Sequence, residues 1–175
     1  MDFIYDPYLV LYLPLYQLDG SSFASRDAYG NPGTVAGALW RPQGRFFDAI
    51  DDVLDCGNGT SLQITEEISI DAWVNPPDNS ISYPGMVTFS PDFTSWTNFI
   101  WALRLSGTTL KPTCLFVYSD GTNNGESLIT SSPITAGQMS HIVVTKSVSV
   151  QEEKIYVNGI IAKTLTGQTK LCPPS

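Results

Sequence analysis

The sequence predicts an all-β protein built of antiparallel sheets, and three observations support this fold class. No window places apolar residues at the 3.6-residue spacing of an amphipathic helix. The 14 glycines and 12 prolines recur along the whole chain and would interrupt long helices. Between them lie short runs of β-branched and aromatic residues bounded by turn residues. Many short strands without helical crossovers favour antiparallel pairing.

Eight segments have the pattern of β-strands. The best defined is Ile68–Val74, in which every second residue is aliphatic while Asp71 and Trp73 lie on the other face. The pair Asn158–Gly159 supplies the two positive φ angles of a type I′ turn, which predicts a hairpin. The predicted strands are residues 9–15, 68–74, 86–89, 99–105, 115–118, 141–146, 155–157 and 160–165.

Length, composition and charge limit the domain organisation and the partners. A chain of 175 residues has room for one hydrophobic core, and 42% hydrophobic with 11% aromatic residues is typical of a folded protein. The 9 basic and 17 acidic residues give a formal net charge of −8, which argues against a nucleic-acid partner. No apolar run approaches the roughly 20 residues of a membrane span, so we expect no membrane insertion. No secretory signal is visible at the start of the sequence.

Three cysteines, Cys56, Cys114 and Cys172, are spread widely along the chain. Their number is odd and their spacing matches no zinc or redox signature. We expect buried thiols, and a disulfide between two of them is the alternative that the sequence leaves open.

Six short motifs follow one another along the chain. They are residues 9–15, 27–34 with 35–40, 47–52, 61–64 with 70–74, 141–145, and 155–159. In this order they resemble the laminin-G-like domains of the concanavalin A-like lectin/glucanase superfamily. The resemblance implies an antiparallel β-sandwich of jelly-roll type. It predicts a single domain over residues 1–167, followed by a short tail over residues 168–175.

The chain departs from the family pattern near its C-terminal end. Family members continue into a final strand beside the first one, and nothing in residues 168–175 resembles that strand. The strand predicted at residues 9–15 would then have an unpaired edge, with apolar groups on both of its faces. We expect copies of the chain to pair along this edge, which predicts a homo-oligomer.

No catalytic constellation is evident. Glucanases of the superfamily carry carboxylates at alternate positions of one strand, and here Glu67 and Asp71 flank Ser69 without the required glutamate pair. His141 is the only histidine and is expected to be packed or hydrogen-bonded. The charged run at residues 152–154 is interpreted as a solvated strand connection. The sequence therefore predicts a protein that is not an enzyme, and a β-glucan hydrolase is the least favoured function.

Carbohydrate binding is the favoured chemistry for the aromatic residues of the loops and of one polar strand face. A pyranose ring is apolar on its faces and hydroxylated at its edge, so it needs an aromatic face with polar groups beside it. The loop-rich stretch of residues 76–98 and the polar side of the strand at residues 68–74 offer such groups. Core packing is the competing role. The predicted ligand-binding residues are Trp96, Trp101, Trp73, Tyr83 and Asn98.

The resemblance also implies a calcium site. Asp27 is the first-choice ligand, with Asn31 and Asp51 behind it. Carboxylate and amide oxygens suit a hard cation, although the same residues also form ordinary turns. No other cofactor is expected.

Together these features predict a non-catalytic recognition module for a glycan or a protein surface, with its site on loops or on a sheet face. The alternative is a structural or interaction domain of a surface or virion protein that self-associates. The resemblance implies an extracellular or surface-exposed location.

Overall fold

The computed structural model describes residues 3–48, 50–77, 85–90, 99–106, 109–123 and 128–173. Within these ranges the chain forms twelve strands, all paired antiparallel, and two single-turn 3-10 helices, Phe3–Tyr5 and Thr60–Leu62. Neither described helix has the length needed to cross a membrane. The chain divides into two compact units, Met1–Gln63 and Ile64–Ser175. The predicted all-β, antiparallel fold class is confirmed.

The first unit contains five short strands. They are β1 (Ser22–Ala24), β2 (Pro32–Ala36), β3 (Leu39–Arg41), β4 (Gly44–Phe46) and β5 (Val53–Asp55). Strand β2 lies between β1 and β5, and β3 pairs with β4. The sequence patterns do not predict these strands, because three to five residues are too few to show a clear alternation.

The predicted strand at residues 9–15 is wrong. Within the described residues this segment joins no sheet. Side chains bond part of its backbone: Tyr12 N donates to Asp27 Oδ2 (2.9 Å), and Asn31 Nδ2 donates to Val10 O (2.7 Å). A backbone hydrogen bond from Arg26 N reaches Tyr12 O (2.9 Å). These bonds satisfy backbone groups that a neighbouring strand would otherwise pair. The strand edge behind the predicted homo-oligomer is therefore absent here, and the oligomeric state stays a prediction.

The second unit contains two antiparallel sheets. Its strands are β6 (Ile68–Val74), β7 (Gly85–Phe89), β8 (Trp101–Ser106), β9 (Lys111–Phe116), β10 (Ser140–Ser147), β11 (Glu152–Val157) and β12 (Ile160–Thr166). One sheet has the order β12–β11–β10–β6 and the other β7–β8–β9. All seven strands overlap predicted ones. The predicted hairpin turn is also confirmed, since Asn158 and Gly159 have φ angles of 50° and 79°.

The core of the second unit lies between these sheets. Ile142, Val144 and Ile155 of the four-stranded sheet are fully buried. Leu103 and Phe116 of the three-stranded sheet are fully buried as well. The four-stranded sheet therefore has an inner face that is buried in this core. Its outer face points away from the core.

The interpretation of residues 152–154 as a solvated connection is wrong. They begin strand β11, and alternation turns Glu153 inward on the same side as Ile155. Glu153 and Lys146 of the neighbouring strand have fully buried side chains, with 3.3 Å between Glu153 Oε1 and Lys146 Nζ. The core accommodates the Glu153 carboxylate because it is paired there with the Lys146 ammonium.

The segment after β12 is hydrogen-bonded to the rest of the second unit. The hydroxyl of Tyr118 donates to Gln168 Oε1 (2.7 Å), and Cys172 N donates to Thr65 O (2.9 Å). The side chain of Cys172 is buried. The domain limit predicted at residue 167 remains a prediction.

Candidate functional site

The outer face of the four-stranded sheet carries an exposed tryptophan. Trp73 lies near the end of β6 and is 66% exposed. It stands directly opposite His141 of β10, and its indole stacks on the imidazole with 4.7 Å between ring centroids and 18° between planes. Stacking covers one face of the indole, and the exposed fraction shows that much of the ring still meets solvent.

His141 is held in place from two sides. Its Nε2 is 2.8 Å from Asp71 Oδ2, and these side chains are 26% and 61% exposed. Its backbone N–H donates to Asn158 Oδ1, while Asn158 N donates back to His141 O. The hairpin turn predicted from Asn158–Gly159 thus also fixes the histidine. We call Trp73, His141 and Asp71 the sheet-face cluster.

The sheet-face cluster suits recognition of a hydroxylated ring. A partly exposed indole offers an apolar platform for the face of a sugar. The Asp71 carboxylate accepts hydrogen bonds, and the imidazole donates or accepts according to its tautomer. Because His141 both stacks on Trp73 and bonds Asp71, the platform and the polar group are held in one arrangement.

Glu67, the other carboxylate that the sequence places on this strand face, is bonded to a neighbouring turn. It accepts a hydrogen bond from Ser149 N at 2.9 Å in the turn between β10 and β11. Hydrogen bonds from Ser147 and Ser149 lower the pKa of this carboxyl. The Glu67 carboxylate is therefore engaged in that turn.

The other predicted ligand-binding residues divide into two groups. Trp101 is only 9% exposed and stacks on Phe89 with 5.8 Å between ring centroids. It therefore presents no face to a ligand, and its assignment as a binding residue is corrected to core packing. The remaining three lie outside the described residues; they are Tyr83, Trp96 and Asn98.

Two of the predicted calcium ligands are engaged in hydrogen bonds. Asp27 Oδ1 accepts from Tyr29 N and Gly30 N, and its Oδ2 accepts from Tyr12 N. Burial opposes ionisation of Asp27, but hydrogen bonds from Ser25 and these backbone groups outweigh it and lower its pKa. Asn31 is buried, and its side-chain amide donates hydrogen bonds to Val10 O and Ser61 Oγ of the same unit.

Asp51, the third predicted ligand, lies in an acidic group with Asp48 and Asp52. One oxygen of each carboxylate lies within 4.8 Å of the others. Two hydrogen bonds shape this turn, from Asp48 N to Asp52 Oδ2 (2.7 Å) and from Ile50 N to Asp48 Oδ1 (2.8 Å). The group does not include Asp27, so the structure places the predicted ligands at separate positions.

A small cavity beside the C-terminal segment was not expected from the sequence. It has a volume of about 320 Å³. Burial and the nearby Glu153 carboxylate raise the pKa of Tyr118 in its wall. Among the described residues of that wall, the single cation is Lys170, whose Nζ is 2.8 Å from Asp120 Oδ2. The lining residues are Tyr118, Asn123, Leu165, Gly167, Gln168, Thr169 and Lys170.

The antiparallel sheets define a β-sandwich protein of the kind that the sequence motifs predict, and the sheet-face cluster lies on the outer face of one sheet. The chain matches the profile of a laminin-G-type family, described as the concanavalin A-like lectin/glucanases superfamily, over residues 48–174. Because this match covers most of the chain, the protein belongs to that family. The predicted family is confirmed.

Two other comparisons add little. No curated protein matches the chain. Among solved structures, the chain is similar to an alginate lyase from Corynebacterium sp., with 13% sequence identity and a TM-score of 0.33. The matched region covers 85% of this chain and 64% of the lyase.

Proposed function

We propose that the protein is a non-catalytic carbohydrate-recognition module and that the sheet-face cluster is its binding site. The observation that carries the proposal is the solvent-exposed Trp73, stacked on His141 with Asp71 beside it. The exposed indole offers an apolar face, and the face of a pyranose ring is a partner of matching shape. Membership of a lectin and glucanase superfamily supports the same ligand class.

Recognition rather than hydrolysis is proposed because of the carboxylates. Asp71 is paired with His141, and Glu67 serves the turn between β10 and β11. A retaining or inverting mechanism needs two carboxyl groups facing one glycosidic bond. On this face the carboxylate of Glu67, four positions before Asp71, instead accepts the backbone hydrogen bond of Ser149.

A glycan array tests the proposal, read with and without calcium. We expect saccharide binding by the purified chain that Trp73→Ala abolishes. Tyr8→Ala is the matched control, since Tyr8 is 91% exposed but belongs to the other compact unit. Binding that survives Trp73→Ala would refute the site, and release of reducing sugar from a bound glycan would refute the non-catalytic function.

Self-association is the second candidate function. It is favoured by two exposed aliphatic residues at the outer strand β12, Ile160 (73% exposed) and Ile161 (55% exposed). A blank array combined with a dimer in sedimentation analysis, dissociated by Ile161→Lys, would favour this function over carbohydrate binding.

A further inference from the structure

We infer that the ligand of this face is an extended, uncharged glycan of at least three sugar units that runs from Trp73 on β6 to Tyr156 on β11. The inference rests on the proposed function. It adds a second aromatic platform, the path of the glycan across the sheet, and a preference for uncharged over charged glycans. Tyr156 is half-buried and is not among the residues that the sequence predicts as ligand-binding.

The strand register places both aromatic residues on one face. Val143 of β10 lies opposite Asp71 of β6 on one side and opposite Tyr156 of β11 on the other. Directly paired residues of an antiparallel sheet point to the same face, so Tyr156 shares the outer face with Asp71. Trp73 is two residues along β6 from Asp71 and therefore points the same way.

The separation of the platforms sets the minimum ligand length. Tyr156 is two strands away from β6, which is about 10 Å across the sheet, and it is offset from Trp73 by two residues, about 7 Å along the strands. One pyranose ring cannot cover both aromatic side chains at this distance. A chain of three or more units can stack on both, with Val143 beneath its middle.

A row of polar groups runs beside this aromatic path. On the same outer face, Thr145 of β10 lies opposite Ser69 of β6 on one side and opposite Lys154 of β11 on the other. Thr164 of β12 continues the row, opposite Lys154. Hydroxyl groups here can bond the edge hydroxyls of sugars that lie on the aromatic path. The face thus has one apolar and one polar band, as a linear glycan requires.

The charges on this face favour an uncharged glycan. Asp71 is exposed and carries a carboxylate near the Trp73 end of the path. The ammonium of Lys154 is already paired with Glu152 on its own strand. His141 is bonded to Asp71. A polyuronate would bring further carboxylates close to Asp71, and repulsion between like charges disfavours its binding. The cationic side chains of the outer face that are named here already have acidic partners.

The test measures affinity against chain length. The probes are glucose, mannose and galactose with their β-linked oligomers up to the hexasaccharide, and oligogalacturonate as the charged comparator, each titrated by NMR. We expect affinity to rise by about tenfold from monosaccharide to trisaccharide and then to level off, consistent with one added aromatic contact of about 1.4 kcal/mol. Oligogalacturonate is expected to bind weakly at every length.

Variants separate this inference from the proposed function. Tyr156→Val places a β-branched residue of high strand propensity at this position and should remove the gain of affinity with chain length. Tyr156→Phe should retain the gain, and circular dichroism verifies folding of both variants. A wild-type affinity independent of chain length, a gain that survives Tyr156→Val, or tight uronate binding would overturn the inference alone. Absence of binding to every probe would overturn the proposed function as well.

Discussion

Replacing the buried lysine of strand β10 is expected to destabilise the protein strongly. Lys146 and Glu153 form an ion pair in which both side chains are fully buried. The Lys146 ammonium also lies over the rings of Phe116 and Tyr118, at 5.6 and 5.2 Å. Lys146→Met keeps the volume of the side chain but removes the counter-ion of a carboxylate that has no access to water.

The magnitude follows from this burial. Removing one partner of a buried pair costs about 3–5 kcal/mol, because a charge remains in a medium of low dielectric constant. At about 2–4 °C per kcal/mol for a chain of this length, Tm should fall by about 12 °C. The double variant Lys146→Met/Glu153→Leu removes both charges of this pair and should recover most of the loss.

Urea unfolding followed by tryptophan fluorescence measures these differences. The matched control is Lys154→Met, which breaks the partly exposed pair with Glu152 on the opposite face of the same sheet and should cost much less than Lys146→Met. The reasoning is refuted if Lys146→Met costs no more than Lys154→Met, or if the double variant is as unstable as Lys146→Met.

Three further predictions concern acid, thiols and calcium. The pKa of Asp27 in the folded chain lies below its ordinary value of 3.8. The Asp27 carboxylate therefore contributes its full stabilisation above pH 3.8, and this contribution is lost as the pH falls through the folded pKa. Thermal melts should show that the stability of Asp27→Asn depends less on acid pH than that of the wild type. Burial raises the pKa of Cys114, and raises that of Cys56 and Cys172 to about 11, so a thiol reagent should label the folded chain far more slowly than the urea-unfolded chain; equal rates would contradict their burial. If calcium binds at the acidic turn, calorimetric titration should give a heat that Asp51→Asn abolishes and Asp27→Asn preserves; the reverse pattern would assign the ion to Asp27.

Strands β6 and β10 to β12 could be predicted from the sequence because their signals are local. Period-two alternation within Ile68–Val74 and the Asn158–Gly159 pair depend only on residues a few positions apart. The same locality explains the error at residues 9–15. That segment has a strand-like pattern, but a strand also needs a neighbour to accept its hydrogen bonds, and side chains of Asp27 and Asn31 take that place.

Only the tertiary structure decided the environment of each side chain. Trp73 and Trp101 both lie in strands, yet one stacks on His141 at the surface and the other on Phe89 in the core. The partners Asp71 and His141 are 70 positions apart in the chain, and nothing within either strand identifies the other. Local patterns therefore determined where the strands of the second unit lie and which face of β6 is buried. Burial of a charge, exposure of an indole and assembly of a site depend on contacts between distant residues, which exist only after the sheets have paired.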